Sequence, residues 1–262
     1  MTVQIRNDQA VDLLAGDYQP RYEPNFALAN AASTFMLLPQ LRGLWLYSSV
    51  DNANSVYDAS GQGRTVAPGT APTFGVDGLI PYAAFSLAGS QYLTRADEAG
   101  LDITGAITII TWVKFAAGST GALTGIVSKW LAAGNQRSFV LNKLATNEIL
   151  WSTSSLGTAA SVANIGDGAA NYTTSYWLYV ACRFRPAVAM DMFIGNNQTW
   201  NTYTGATANA AIFNSTTALD IGRYDAANYF DGNLAISALC ATNHSDSVIR
   251  NAWEQTRAGF GV

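Results

Sequence analysis

Cleaving a glycosidic bond takes two carboxylates roughly 5–10 Å apart on one face, and the acids of this chain are poorly spaced for that work. Asp97, Glu98 and Asp102 cluster most closely, but Gly100 interrupts them in a stretch that reads as a loop. Glu148 stands alone in its segment, and Asp191 has no acidic neighbour. His244 is the one histidine. Any nucleophilic triad would hang on it, and its place beside a helix N-cap reads as a solvent-exposed turn. One histidine and two distant cysteines give no zinc spacing.

What remains is turn and contact chemistry. Val56-Tyr57-Asp58-Ala59-Ser60-Gly61-Gln62-Gly63 is answered much later by Tyr229-Phe230-Asp231-Gly232-Asn233-Leu234. In such turns Asp bonds nearby backbone amides and Gly supplies positive φ. Trp130, Trp151, Trp200 and Tyr203 fall near loops or strand ends. Trp200, in Gly195-Asn196-Asn197-Gln198-Thr199-Trp200-Asn201, is the best placed to stack on a sugar, with Asn197 among the flanking amides that bond hydroxyls. Two readings compete with it: seven Trp in a two-sheet core are mostly core, and a surface aromatic serves a protein neighbour equally well.

The elements that would hold these residues are short aromatic and β-branched runs separated by Gly, Asn and Ser turns. They fall at residues 44–47, 83–87, 106–115, 125–130, 138–144, 148–152, 177–184, 190–194, 218–221 and 234–241. Many strands and one late helix predict an antiparallel sandwich or jelly roll. Along Ile107 to Phe115 the odd positions are Ile, Ile, Thr, Val and Phe, and the even ones carry a single charge, Lys114. Both faces of that strand are therefore expected to be covered, as in the centre of a packed sheet. The helix is predicted over 246–257, with Ser245 as N-cap, Val248, Ile249, Ala252 and Trp253 on one face and Gly259 past its end. Residues 1–40 read as an N-terminal arm with a short helical pattern over Ala27 to Leu38 ended by Pro39. Pro20 and Pro24 punctuate its extended part, which carries Tyr18, Tyr22 and Phe26.

Bulk properties narrow the function. The 262 residues suffice for one all-β domain over 41–262 plus the arm. Only 12% of residues are charged, the net charge is −4, and three of the 14 basic residues are Lys. Nothing there neutralises a phosphate backbone, which argues against nucleic acid. Neither a basic head with an apolar run nor about 18 uninterrupted apolar residues occurs, so neither N-terminal export nor membrane insertion is expected. Cys182 and Cys240 sit in apolar runs and read as buried thiols, with a single bridge between neighbouring strands as the alternative.

The order of these pieces resembles the laminin-G-like, concanavalin A-like lectin/glucanase jelly-roll superfamily, of the kind found in bacteriophage virion proteins. The resemblance runs from about Gly43 to Gly259. Gly43 to Tyr47 is similar to its opening strand, Asp58 to Gly63 to its Asp-Ser-Gly turn and Ala84 to Leu93 to its second strand and turn. Ile107 to Val113 resembles its central strand, Trp177 to Ala181 its Trp-x-x-Val-Ala strand, and Leu219 to Gly222 with Tyr229 to Gly232 its closing pair. The glucanase pattern Glu-x-Asp-x-x-Glu is absent. The resemblance implies two antiparallel sheets with a concave face that in relatives binds glycans or protein, and the missing carboxylate pattern argues for a non-enzyme. It also brings Asp58 and Asp231 to one end of the sandwich, with Asp51 or Asp77 nearby, where a calcium ion is the alternative to two independent turns. Function follows from sites rather than from fold. The expectation is a structural subunit on a virion surface (capsid decoration, head fibre or tail), a homo-oligomer held to neighbouring subunits by its arm and able to adhere to cell-surface polysaccharide, with no cofactor. A stand-alone, calcium-dependent lectin module, extracellular or at a cell surface, is the alternative.

Overall fold

A computed structural model of the chain describes residues 26–50, 53–116, 122–168, 176–196, 199–205 and 208–262. Tyr18, Tyr22, Asp51 and Asn197 lie outside the described residues, as does the side chain of Phe26.

The described residues open with α1 (Phe26–Met36), so Phe26 begins a helix. The strands follow in order as β1 (Leu41–Val50), β2 (Val56–Asp58), β3 (Ala67–Thr70), β4 (Thr73–Asp77), β5 (Ile80–Phe85) and β6 (Tyr92–Arg95). Next come β7 (Ile107–Phe115), β8 (Thr124–Leu131), β9 (Gln136–Lys143), β10 (Ile149–Ser154), β11 (Val162–Gly166) and β12 (Leu178–Arg185). The last are β13 (Ala189–Gly195), β14 (Trp200–Thr204), β15 (Leu219–Ile221), β16 (Arg223–Tyr224), β17 (Asn228–Tyr229) and β18 (Gly232–Cys240), before α2 (Asp246–Thr256).

Sixteen of these form two antiparallel sheets, the sandwich that the strand pattern predicts, and β16 and β17 pair as a separate hairpin. The nine-stranded sheet runs β14-β13-β12-β7-β18-β1-β2, with β5 on the first half of β18 and β4 outside β5. The seven-stranded sheet runs β11-β10-β9-β8-β15-β6-β3. Between them lies the main core, where Trp45, Ile109, Val113, Leu141, Trp151, Val180 and Phe230 are all buried. The alternation along β7 resolves as its sequence requires. Ile107, Ile109, Val113 and Phe115 enter this core, while Ile110 and Trp112 enter a second core on the other face.

That second core is closed by helices. α1 contributes Ala31 and Phe35, α2 contributes Ile249, Ala252 and Trp253, and the closing turn contributes Phe260, all against Leu44, Trp112, Tyr179 and Phe193 of the nine-stranded sheet. Phe260 stacks on Trp112 at 4.0 Å with 3° between the rings. The indole of Trp112 donates to Thr256 Oγ1, and Tyr179 donates to the Ile249 carbonyl. Ser245 caps α2 by accepting from Val248 N, as its position before the apolar stripe predicts. Among the described residues no helix is long and apolar enough to cross a membrane.

Cys182 and Cys240 are buried and unpaired. They flank β7 on different strands and face different cores, so no bridge can join them.

Candidate binding surface

The acids come first, because they decide whether chemistry is possible. Asp191 is 1% exposed and saturated: Arg183 Nε donates to its Oδ2 at 2.6 Å and Arg185 Nε at 2.8 Å, while Arg185 Nη2 and Thr204 Oγ1 reach its Oδ1. Burial pushes this carboxyl up, but the bonds from Arg185, Arg183 and Thr204 outweigh it and hold the group below the usual carboxylate range. Asp97 and Asp102 lie 2.5 and 3.3 Å from the buried Lys129 ammonium. Glu98 pairs with Arg64 and Arg95, Asp77 with Lys114, and Asp220 with Arg223. Every acid in the best sequence cluster is thus matched to a cation, the arrangement of a fixed ion pair rather than of a proton donor facing a nucleophile.

His244 departs from its expected place on the surface. It is only 5% exposed, its backbone N–H bonds Thr108 Oγ1, its carbonyl accepts from Arg183 Nη1, and its Nε2 has no partner. Burial lowers its pKa, which favours the neutral ring. The turn is tied into the sheet because Thr108 also donates to the Thr242 carbonyl.

The two turn aspartates do not meet. Asp58 Oδ1 accepts from Leu44 N and Ser60 N, and its Oδ2 accepts from Arg64 N, each at 2.9 Å. Its register partner Trp45 lies opposite Ser237, six residues along β18 from Asp231. At about 3.4 Å per residue that separation is about 20 Å. Asp77, on the β4–β5 hairpin, is held by Lys114 and the Trp177 indole. No group of three His, Cys, Asp or Glu side chains among the described residues is disposed to hold a metal ion. The sequence resemblance suggested a shared calcium site; strand register separates its two halves, and Asp58 serves its own turn.

The aromatic candidates are largely occupied. Trp200 opens β14 instead of standing in a loop, and its ring lies 4.9 Å from Trp253, 5.9 Å from Phe193 and 6.0 Å from Tyr179, with Arg250 above it. Tyr203, from the opposite face of β14, is half-buried against the main core. Trp130 is 9% exposed and Trp151 is fully buried. A sugar platform needs an open ring face; of these candidates Trp200, beside Arg250, and Tyr203 are half-buried and the two other Trp are buried.

The residues that do assemble were not visible one strand at a time. In the seven-stranded sheet the register aligns Ile165, Trp151, Leu141, Val127, Ile221 and Leu93 as one row into the core. Alternation then turns the adjacent row, Asn164, Ser152, Val140, Ser128, Asp220 and Thr94, outward. Asn142 faces the same way one pair further along, opposite Gly125 and Leu150. This outer face is built of hydroxyls and amides with little charge. Its middle is roofed by the β16–β17 hairpin: Ser128 Oγ donates to the Arg223 carbonyl, Arg223 clamps Asp220, and its guanidinium lies 3.5 Å over the Tyr92 ring. Gly125 is required beneath the hairpin, since a Cβ there would strike the backbone of Tyr224 and Arg223. Burial pushes the Asp220 carboxyl up against the pull of Thr94 and Arg223. Beyond the hairpin, Asn164 is exposed, Leu150 is half-buried, and Asn142 is 3% exposed with an Oδ1 that has no hydrogen-bond partner. A buried carbonyl oxygen without a protein donor costs free energy unless an ordered water satisfies it.

Neither a family model nor a curated protein matches the sequence. Solved structures do match in fold. The binding domain of botulinum neurotoxin DC, in complex with rat synaptotagmin II, has a TM-score of 0.60 at 10% identity over 83% of this chain and 52% of that one. The binding domain of Paraclostridial mosquitocidal protein 1 gives 0.61 at 10% identity over 82% and 52%. The botulinum neurotoxin serotype D ligand-binding domain, in complex with N-acetylneuraminic acid, gives 0.59 at 11% identity over 86% and 52%. This chain therefore spans about half the length of those chains. What they share with it is the β-sandwich fold.

Proposed function

We propose that the chain is a non-enzymatic recognition subunit of a larger particle, of the kind carried on a virion surface, that adheres to hydroxyl-rich surface glycans. The outer face of the seven-stranded sheet is the contact surface, with the exposed Asn164 and the half-buried Leu150 at its accessible side and Asn142 and Ser152 buried beside them. The observation that carries the reading is the outward row of polar side chains that begins at the exposed Asn164, with Asn142 one pair further along on the same face. It is supported by the matching of each clustered carboxylate to a cation, and by solved relatives in fold that are receptor- and ligand-binding domains. The nine-stranded sheet has both faces covered, which leaves the helical side to meet neighbouring subunits.

The test is a glycan array probed with the full chain, followed by titration of any hit against Asn164→Ala and Asn142→Ala. Binding in the micromolar-to-millimolar range, lost in both variants, is the expected result for a shallow polar site. Absence of any hit, or release of reducing sugar from a bound glycan, rejects the reading. Light scattering on the full chain and on a chain starting at Phe26 separates an assembly subunit from a stand-alone lectin. Starting at Leu41 would confound it, because Phe35 belongs to the second core.

A further inference from the structure

A polar cavity of about 260 Å³ opens where β1 and β7 begin and β18 ends. Arg42, Asp102, Thr104 and the backbone of Gly100 and Gly105 line it. A β-bulge puts Arg42 there: Leu41 pairs with Cys240 and Gly43 with Leu239, so Arg42 is the extra residue of β1. An insertion of this kind re-aims a side chain out of the ladder. Arg64 Nη1 pins the bulge by donating to the Arg42 carbonyl at 2.7 Å, and the same guanidinium packs so closely on Gly100 that a Cβ there would strike it. The fold therefore holds both walls of the cavity.

Charge around the cavity points to its ligand. Arg64 and Arg95 pair with Glu98, and Lys129 with Asp97 and Asp102, so these groups balance before Arg42 is counted. Arg42 is half-buried, and its side chain forms no hydrogen bond, ion pair or ring contact with the described residues. Every other lysine and arginine among them has such a partner. Partial burial of a guanidinium without a counter-charge costs free energy, which a carboxylate held bidentately on its fork recovers. Asp102 engages Lys129 through Oδ1 at 3.3 Å, so its charge is offset while Oδ2 is left to accept from a hydroxyl. Thr104 adds an exposed hydroxyl at the rim. The volume lies below the about 300–1,000 Å³ of drug-sized pockets and admits one small molecule. We propose that this cavity binds a single sugar acid, with the carboxylate on Arg42 and the ring hydroxyls on Asp102 and Thr104. It shares no residue with the outer face of the seven-stranded sheet and does not depend on that face being a recognition surface.

Amide chemical-shift titration of the full chain with glucuronate tests this, beside glucose, which lacks the carboxylate, and sulfate, which lacks the ring. The expected result is saturable shifts at Gly100 and Gly105 with a Kd on the order of millimolar, as a small polar site gives. Glucose and sulfate should bind about tenfold more weakly. Arg42→Gln should weaken glucuronate about tenfold, and Arg42→Lys, which keeps the charge without the fork, about threefold. Because the Arg42 side chain bonds nothing among the described residues, both variants should keep the native urea midpoint. Shifts absent from Gly100 and Gly105, or unchanged affinity in Arg42→Gln, overturn the proposal. Sulfate binding as tightly as glucuronate also overturns it, since the cavity is then an anion hole that reads no sugar. Asn164→Ala should leave the glucuronate shifts as they are; their loss in that variant would place the sugar on the outer sheet face and overturn the assignment to this cavity.

Discussion

Replacing Asp58 with Ala is the sharpest test of the claim that this residue holds a turn and not an ion. The carboxylate accepts from Leu44 N, Ser60 N and Arg64 N, each at 2.9 Å. Hydrogen bonds to a charged group are worth about 1.5–3 kcal/mol each. The site is half-exposed, so water takes over part of that; about 1 kcal/mol per bond gives a loss of about 3 kcal/mol. In a domain of this size that lowers Tm by about 6–12 °C. Arg64 should loosen as well, because its backbone bond to Asp58 sets the guanidinium that reaches the Arg42 carbonyl and Glu98. Asp58→Asn keeps an acceptor for Leu44 and Ser60 but sets its amide against Arg64 N, at a cost of about 1 kcal/mol. Urea and thermal unfolding of the three proteins, each with and without millimolar calcium, give the answer. A loss under about 1 kcal/mol in Asp58→Ala, or a calcium-dependent rise in the native protein that Asp58→Ala abolishes, would refute the reasoning.

Three further outcomes follow from the cores and their ion pairs. Phe260→Ala removes the ring stacked on Trp112 and should cost about 3–5 kcal/mol in urea denaturation, with near-ultraviolet dichroism of the tryptophans altered. Asp191→Asn leaves Arg183 and Arg185 without their buried counter-charge and should cost about 3–5 kcal/mol; in the native protein this contribution is complete above the ordinary carboxylate value of 3.8 and is lost as pH falls below it. His244 is held neutral by burial, so as pH falls below its ordinary 6.5 the unfolded chain takes up the proton first and stability declines; His244→Gln should flatten that limb of the pH–stability profile.

Sequence patterns reached the sandwich because its central strands are long and apolar. β7 alternates cleanly, and both of its faces proved to be covered. The shorter strands escaped. β14 is Trp-Asn-Thr-Tyr-Thr at a sheet edge, and β3 and β4 carry Pro and Gly, so neither composition nor length marks them. His244 was misplaced because its burial comes from Thr108 and Arg183, 136 and 61 residues away along the chain. Trp200 was read as a platform because its partners Trp253 and Tyr179 belong to other elements. The outward row of the seven-stranded sheet is a product of register alone: each strand supplies one or two polar side chains, and only the pairing lines them up.

Asn142 sets stability against recognition in a measurable way. Its Oδ1 is buried in the outer face without a donor, and a buried unsatisfied carbonyl costs about 1–3 kcal/mol. Leu has a similar volume and no polar atom, and it would pack against Leu150, the neighbour of Asn142 on β10. Asn142→Leu should therefore stabilise the protein by about 1 kcal/mol or more in urea unfolding while abolishing glycan binding. Asn142→Asp, which places an unpaired charge in the same spot, should lose both. If Asn142→Leu instead destabilises the fold, the oxygen is already satisfied by a structural water. Its place as a hydroxyl acceptor in the recognition surface then falls, leaving the exposed Asn164 alone to carry that surface.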